Sequence, residues 1–255
     1  MKLLAGFLAI LSLLTPTVQT VSASSGCHWY IKHAGDHTQP PRDPCFSFMD
    51  AYQAYYLDTK SCESDKVIYL TFDAGYENGN IAKILDVLKE ENVPAAFFIL
   101  QNLVYKNKDL LTRMTEEGHL VCNHTAHHKD MSKATKEEFE AELKEMEKVY
   151  REGTGYELAK FYRPPEGNFV EDNLAWAQEL GYSTVLWSFA YADWDNTRQP
   201  DPERAKKKIL SNTHPGEILL LHPTSDTNAA IMKDLITCWK NDGYRFGTLT
   251  ELGTK

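Results

Sequence analysis

Hydrophobic and polar positions switch between two periods along most of this chain. Val67-Ile68-Tyr69-Leu70-Thr71-Phe72 is rich in β-branched and aromatic residues, the mark of a buried strand, and it breaks off at Asp73-Ala74-Gly75. Ile81, Ile84, Leu85 and Leu88 then recur at helical spacing until Asn92-Val93-Pro94 stops the helix. Ala95 to Leu100 is continuously apolar, as in a strand covered on both faces. Leu110, Leu111 and Met114 precede a helix-ending Gly118, and His119 to Asn123 reads as another short strand. Thr135 and Glu138 have capping-box spacing. The helix they open carries Phe139, Leu143, Met146 and Tyr150 on one face, with a solvated face of charges between them.

Further strands are expected at Phe161–Arg163, Ser183–Trp187, Glu217–Leu221 and Tyr244–Gly247. Helices are expected near Glu171–Leu180, Pro202–Ser211 and Asn228–Asn241. This alternation predicts an α/β fold whose parallel sheet is closed or nearly closed into a barrel.

The N-terminal quarter reads differently. Lys2, the apolar run Leu3–Leu14 and the small residues Val21-Ser22-Ala23 form a secretory signal over residues 1–23, too short to span a bilayer comfortably. Residues 24–65 form an extension with turns at Pro40-Pro41 and Asp43-Pro44. Phe46, Met49, Tyr52 and Tyr56 predict one amphipathic helix there, packed on the main domain of residues 66–255. Five cysteines remain after cleavage: Cys27, Cys45, Cys62, Cys122 and Cys238. Their spacing offers no C-x-x-C. A Cys45–Cys62 bridge is conceivable, and Cys122 and Cys238 fall in core-like segments. The formal charge is −9, or −10 once Lys2 is removed with the signal. An acidic chain without Lys/Arg blocks argues against nucleic acid and anionic lipid as partners and leaves a neutral glycan open.

Chemistry-bearing residues collect where predicted strands end. Asp73 alone reads as a helix cap. His124 and His128 are four apart, so one helical turn would aim both imidazoles at a single divalent ion, while His127 would point elsewhere. Arg163-Pro164-Pro165-Glu166-Gly167 sets a carboxylate-clamping guanidinium before a rigid turn whose backbone N–H groups suit an oxyanion. Asp193-Trp194 follows one strand, and Leu221-His222 closes another. Each of these has a plain structural reading when taken singly. All five fall at carboxyl ends of parallel strands, the rim where α/β folds assemble active sites.

Thr71-Phe72-Asp73, His124-Thr125-x-x-His128, Arg163-Pro164-Pro165, Asp193-Trp194 and Leu221-His222 match in order the five motifs of polysaccharide deacetylases with the NodB homology domain. The resemblance covers about residues 65–250. With Gly75-Tyr76-Glu77-Asn78-Gly79 and the extension, the chain resembles the branch that de-N-acetylates muramic acid for the δ-lactam of spore cortex. The resemblance implies a distorted (β/α) barrel with metal-assisted hydrolysis of an N-acetyl group at its rim. It implies Asp73 as general base, His124 and His128 as ligands of a divalent metal (zinc in the first instance), and His222 as the acid for the departing amine. Arg163 and Asp193 would orient Asp73 and tune His222. A backbone N–H near Glu166 would face the oxyanion, and Tyr76 and Trp194 would flank the sugar. Most of the family has a metal-ligating Asp where this chain has Ala74, which implies a weakened metal site.

The expectation is thus an exported, monomeric enzyme acting on the peptidoglycan glycan strand, in the cell wall or spore intermembrane space. The rivals are deacetylation of N-acetylglucosamine in peptidoglycan or chitin, O-deacetylation of an esterified polysaccharide, and a catalytically silent glycan binder.

Overall fold

The computed structural model describes residues 26–33 and 35–253. The expected signal, residues 1–23, lies outside the described residues. Two short strands, β1 (Cys27–His28) and β2 (Ala54–Tyr55), flank a 3₁₀ helix over Pro44–Ala51. The amphipathic helix expected from Phe46, Met49, Tyr52 and Tyr56 is therefore corrected. Phe46 and Met49 are buried, but the helix stops at Ala51 and Tyr56 lies beyond β2. Phe46 and Met49, three apart, share one side of a three-residue turn, and Asp43 caps it by accepting from the Cys45 N–H.

The remaining chain alternates strand and helix: β3 (Val67–Ala74), α1 (Asn80–Glu91), β4 (Ala96–Ile99), α2 (Gln101–Glu116), β5 (Leu120–Asn123), α3 (Lys136–Thr154) and β6 (Ala159–Tyr162). After β7 (Asn168–Phe169) come α4 (Glu171–Glu179), β8 (Ser183–Val185), α5 (Pro202–Asn212), β9 (Glu217–Leu221), α6 (Asp226–Asn241) and β10 (Arg245–Phe246). The capping box of Thr135 and Glu138 opens α3, and α1 ends where Asn92 turns left-handed. Among the described residues no helix is long and apolar enough to cross a membrane.

The main sheet runs β10-β3-β4-β5-β6-β8-β2, with β9 also paired to β3, and every pairing is parallel. It curls into a half-barrel. Closure onto β9 rests on isolated bridges, Phe189 to Leu219 and Leu57 to Glu217, the first reinforced by Ser188 N–H to Ile218 O (3.0 Å) and Leu220 N–H to Phe189 O (2.9 Å). β8 ends at Val185, and β2 pairs along its outer edge, with Leu186 N–H donating to Tyr55 O at 2.8 Å.

Strand alternation sorts the side chains into two cores. On β3, Ile68, Leu70, Phe72 and Ala74 join the helix-side cluster, whereas Val67 and Tyr69 join the inner one with Phe98 and Ile218. A period of two therefore puts Thr71 and Asp73 on the inner face above Tyr69, and on β9 puts Leu220 and His222 above Ile218. The extension packs against a third cluster, in which Trp29, Phe46 and Met49 meet Phe169, Leu174 and Leu186. It also crosses close beneath β9, since a Cβ added at Gly216 (φ 78°) would stand 2.1 Å from Asp58 O. Cys45 and Cys62 are free thiols, so the bridge between them is not formed. Cys45 lies on the 3₁₀ helix, whereas Cys62 sits in the turn before β3. Cys122 is buried as expected, but Cys238 is only half-buried.

One buried acid stands apart from the rim. Glu217, at the start of β9, is fully buried; Oε2 accepts from His214 N–H (3.3 Å), and Oε1 has no partner among the described residues. Burial pushes its carboxyl well above the usual range, against the weaker opposing effect of that bond. The unfolded chain therefore loses this proton first as pH rises, and folding stability falls by up to about 1.4 kcal/mol per pH unit from this one group. Glu217→Gln removes the titration. Chemical denaturation from pH 4 to 8 should show a shallower fall in stability for the variant, with the two proteins converging at the acid end.

Candidate active site

A cleft of about 670 Å³ opens over the inner face, and Asp73, His124, His128, Glu166, Trp194 and His222 are among its lining residues. Asp73 ends the inner row of β3. Its Oδ1 accepts from Arg163 Nη1 at 2.7 Å. Arg163 is wholly buried, and its other two nitrogens are also engaged: Nε gives to Val185 O (3.0 Å), and Nη2 gives to Thr71 Oγ1 (2.8 Å) and Leu186 O (3.3 Å). Its guanidinium lies 4.1 Å from the centre of the Phe98 ring. A charge held this way cannot move, so it fixes the Asp73 carboxylate. Burial would raise the carboxyl's pKa, but the charge and hydrogen bond of Arg163, with the charge of His222, outweigh it and hold Asp73 below its ordinary range.

His124 follows β5 and is buried, with Nδ1 2.9 Å from Arg163 O. A carbonyl only accepts, so Nδ1 carries the proton and Nε2 keeps its lone pair, 3.5 Å from Asp73 Oδ2. Burial first, and then the neighbouring His128, push its pKa down to about 4 despite Asp73. The imidazole is therefore neutral at physiological pH. The His128 ring lies 5.0 Å from it, centre to centre. The route to this meeting differs from the expected helical turn. Thr125 (φ 69°) and His128 (φ 57°) are left-handed, and Thr125 Oγ1 accepts from His128 N–H at 2.9 Å, so a tight loop brings the rings together. His127 does point away, with Nδ1 3.0 Å from Glu142 Oε1.

On the other side of the cleft, His222 Nδ1 lies 2.8 Å from Asp193 Oδ1, and its own N–H gives to Asp193 Oδ2 at 2.8 Å. Asn228 on α6 locks the pair by donating to Asp193 Oδ2 (2.6 Å) and His222 O (3.0 Å). Burial alone would lower the imidazole's pKa. The hydrogen bond and charge of Asp193, with the charge of Asp73, reverse that and raise it. An acid poised to give up a proton and a carboxylate poised to take one thus share one cleft.

Glu166 is left-handed (φ 56°) at the end of the Pro-Pro turn and borders the cleft. Trp194 borders it too and is 64 % exposed. Tyr76 is not among the lining residues, and its hydroxyl is instead held by Asn196. Ala74 borders the cleft with a methyl and no donor atom. The sequence motif included Thr71 but gave it no role, and Asn228 was not singled out; Thr71 accepts from Arg163 while donating to Leu219 O at 2.7 Å. The first was readable, since position 71 shares a strand face with 73. The second reaches the site only through the packing of α6.

Residues 60–185 match the family model for polysaccharide deacetylase. The peptidoglycan-N-acetylmuramic acid deacetylase PdaA of Bacillus subtilis is 37% identical over 226 residues, 88% of this chain and 85% of that protein. The chain belongs to the polysaccharide deacetylase family. It is an enzyme of the hydrolase class that acts on carbon–nitrogen bonds. The solved structure of B. subtilis PdaA, described as a family 4 carbohydrate esterase, superposes on this deacetylase with a TM-score of 0.85. It is 36% identical and the match covers 91% of this chain and 98% of that one. A peptidoglycan-N-acetylglucosamine deacetylase of Bacillus cereus is 32% identical over 81% of this chain and 74% of its own.

Proposed function

We propose that this deacetylase is an exported, metal-dependent peptidoglycan de-N-acetylase that removes the acetyl group of N-acetylmuramic acid, for muramic δ-lactam formation in spore cortex. The observation that carries the reading is the pairing of a clamped carboxylate, Arg163–Asp73, with a carboxylate-backed imidazole, Asp193–His222, at one cleft. The likeness to PdaA supports the sugar.

Asp73 takes the proton from the attacking water, and Arg163 keeps its carboxylate ionised and oriented. As the C–O bond forms and the C–N bond breaks, a backbone N–H near Glu166 steadies the oxyanion. His222 gives its proton to the departing nitrogen, so that acetate and an amine leave. Asp193 holds the His222 ring in position. Trp194 flanks the sugar; Tyr76, held through Asn196, stands back from the cleft.

The donor set fits a divalent metal, zinc by preference. His124 is neutral with its Nε2 lone pair uncommitted to a carbonyl, and His128 stands beside it. Bound on these two imidazoles, the ion supplies Lewis acidity and lowers the pKa of water. Ala74, which borders the cleft, offers a methyl where a third protein ligand would be needed, and this supports weak retention.

The test is mass analysis of wall glycan after incubation with the enzyme under several divalent metals. Loss of 42 Da from muramic acid residues is expected, roughly the mass that exchange of acetyl for hydrogen removes. Loss from glucosamine alone would transfer the activity to the sugar named for the B. cereus relative, and no loss under any metal would leave a glycan binder.

A further inference from the structure

We infer that His28, with Asn168 and Glu166, forms a specificity subsite that reads the 3-O-lactyl carboxylate of muramic acid; this rests on the substrate proposed above. The extension does more than pack against the barrel, because it contributes a side chain to the cleft wall. β1 pairs antiparallel with β7, with His28 opposite Asn168. Its neighbour Trp29 is buried and anchored twice: its N–H donates to Gly167 O and its Nε1–H to Trp187 O, at 2.8 and 2.9 Å. Strand alternation then leaves His28 on the outer side, where it lines the same cleft as Asp73 and His222.

The three side chains form a directional chain. The His28 Nδ1 lies 2.7 Å from Asn168 Oδ1, and Asn168 Nδ2 gives to Glu166 Oε2 at 3.1 Å. The amide accepts at one end and donates at the other, so Glu166 fixes the orientation of the Asn168 amide and the amide oxygen fixes a proton on His28 Nδ1. Glu166 is also left-handed (φ 56°), a conformation costly for a non-glycine residue and enriched at ligand sites.

No lysine or arginine is among the described residues that line the cleft. His124 and His128 are taken by the metal proposal and His222 by the proton transfer. Among the described residues, His28 is the one remaining lining side chain that can bear positive charge. N-acetylmuramic acid differs from N-acetylglucosamine by its lactyl ether, and when free that group ends in a carboxylate. With Nδ1–H committed to Asn168, Nε2 is the atom left to bind it, as a charge-assisted hydrogen bond once protonated.

The experiment compares kcat/KM on a peptide-free muramic-acid glycan with the same glycan after its lactyl carboxylates are converted to methyl amides. The intact enzyme should prefer the free carboxylate by about tenfold, the size of one charge-assisted contact. In His28→Ala and in the more conservative His28→Gln the preference should fall to about one, and Asn168→Ala should lie between. Wild-type preference retained in both His28 variants overturns the subsite, as does an intact enzyme indifferent to the amide. Neither result touches the muramic reading, which is scored separately by which sugar loses acetyl. Acetate lost from glucosamine alone overturns both.

Discussion

Asp73→Asn should lower acetate release by about 10²–10⁴-fold and should also weaken the fold, and the two losses can be separated. Among the described residues, the carboxylate is the one charged partner within bonding distance of a guanidinium that is wholly buried beneath it. Removing one member of such a pair costs about 3–5 kcal/mol, because the other charge stays buried and uncompensated. Replacing both is far cheaper. Asp73→Asn combined with Arg163→Met should recover most of the lost denaturation midpoint, since methionine fills apolar space beside Phe98. It should recover no activity, because no proton acceptor returns. If the double variant regained acetate release along with stability, Asp73 would be a structural anchor and the base would lie elsewhere. Chemical denaturation and acetate assays on the parent, the single variant and the double variant decide this.

The rim was legible in the sequence because strands reveal where they stop. Val67–Phe72 and Ile218–Leu221 are apolar runs that end in Asp73 and His222, and any right-handed parallel sheet carries such endings to one side. Roles that depend on packing between distant segments were less readable. Arg163 declares a positive charge, but that four acceptors from β3, β8 and the segment beyond would surround it follows only from the curl of the sheet. His124 and His128 illustrate a right destination reached by another path. Their spacing suited a helix, whereas two left-handed residues and the Thr125 hydroxyl make the turn. The extension was misread in kind, since apolar residues three apart serve a 3₁₀ turn as well as an α-helix. The pairing of β1 with β7, which delivers His28 to the cleft, involves two residues on each strand and leaves no periodic trace.

Asp193→Asn should cost activity by a comparable factor and should also move the pH dependence in a stated direction. His222 donates its proton to the leaving nitrogen in the proposed mechanism, so activity declines on the alkaline side as the imidazole empties. Burial works to lower its pKa, and the bond and charge of Asp193 are the leading effects that raise it instead. With asparagine at 193 burial loses its main opponent, and the alkaline limb of kcat/KM should shift to lower pH. A raised histidine contributes stability that is fully present below its unfolded pKa of about 6.5 and is lost as pH rises through the folded value. The variant should lack that neutral-range stability, so its melting temperature should change less between pH 6 and 8 than that of the parent. His222→Gln, which has no proton to give, should lose about 10²–10⁴-fold and show no limb from this group. An unshifted alkaline limb in Asp193→Asn, with His222 still bonded, would assign the acid to another residue. A limb that moves down while the fold survives identifies the Asp193–His222 pair as the proton source, because deletion of a merely structural carboxylate has no reason to move a kinetic pKa.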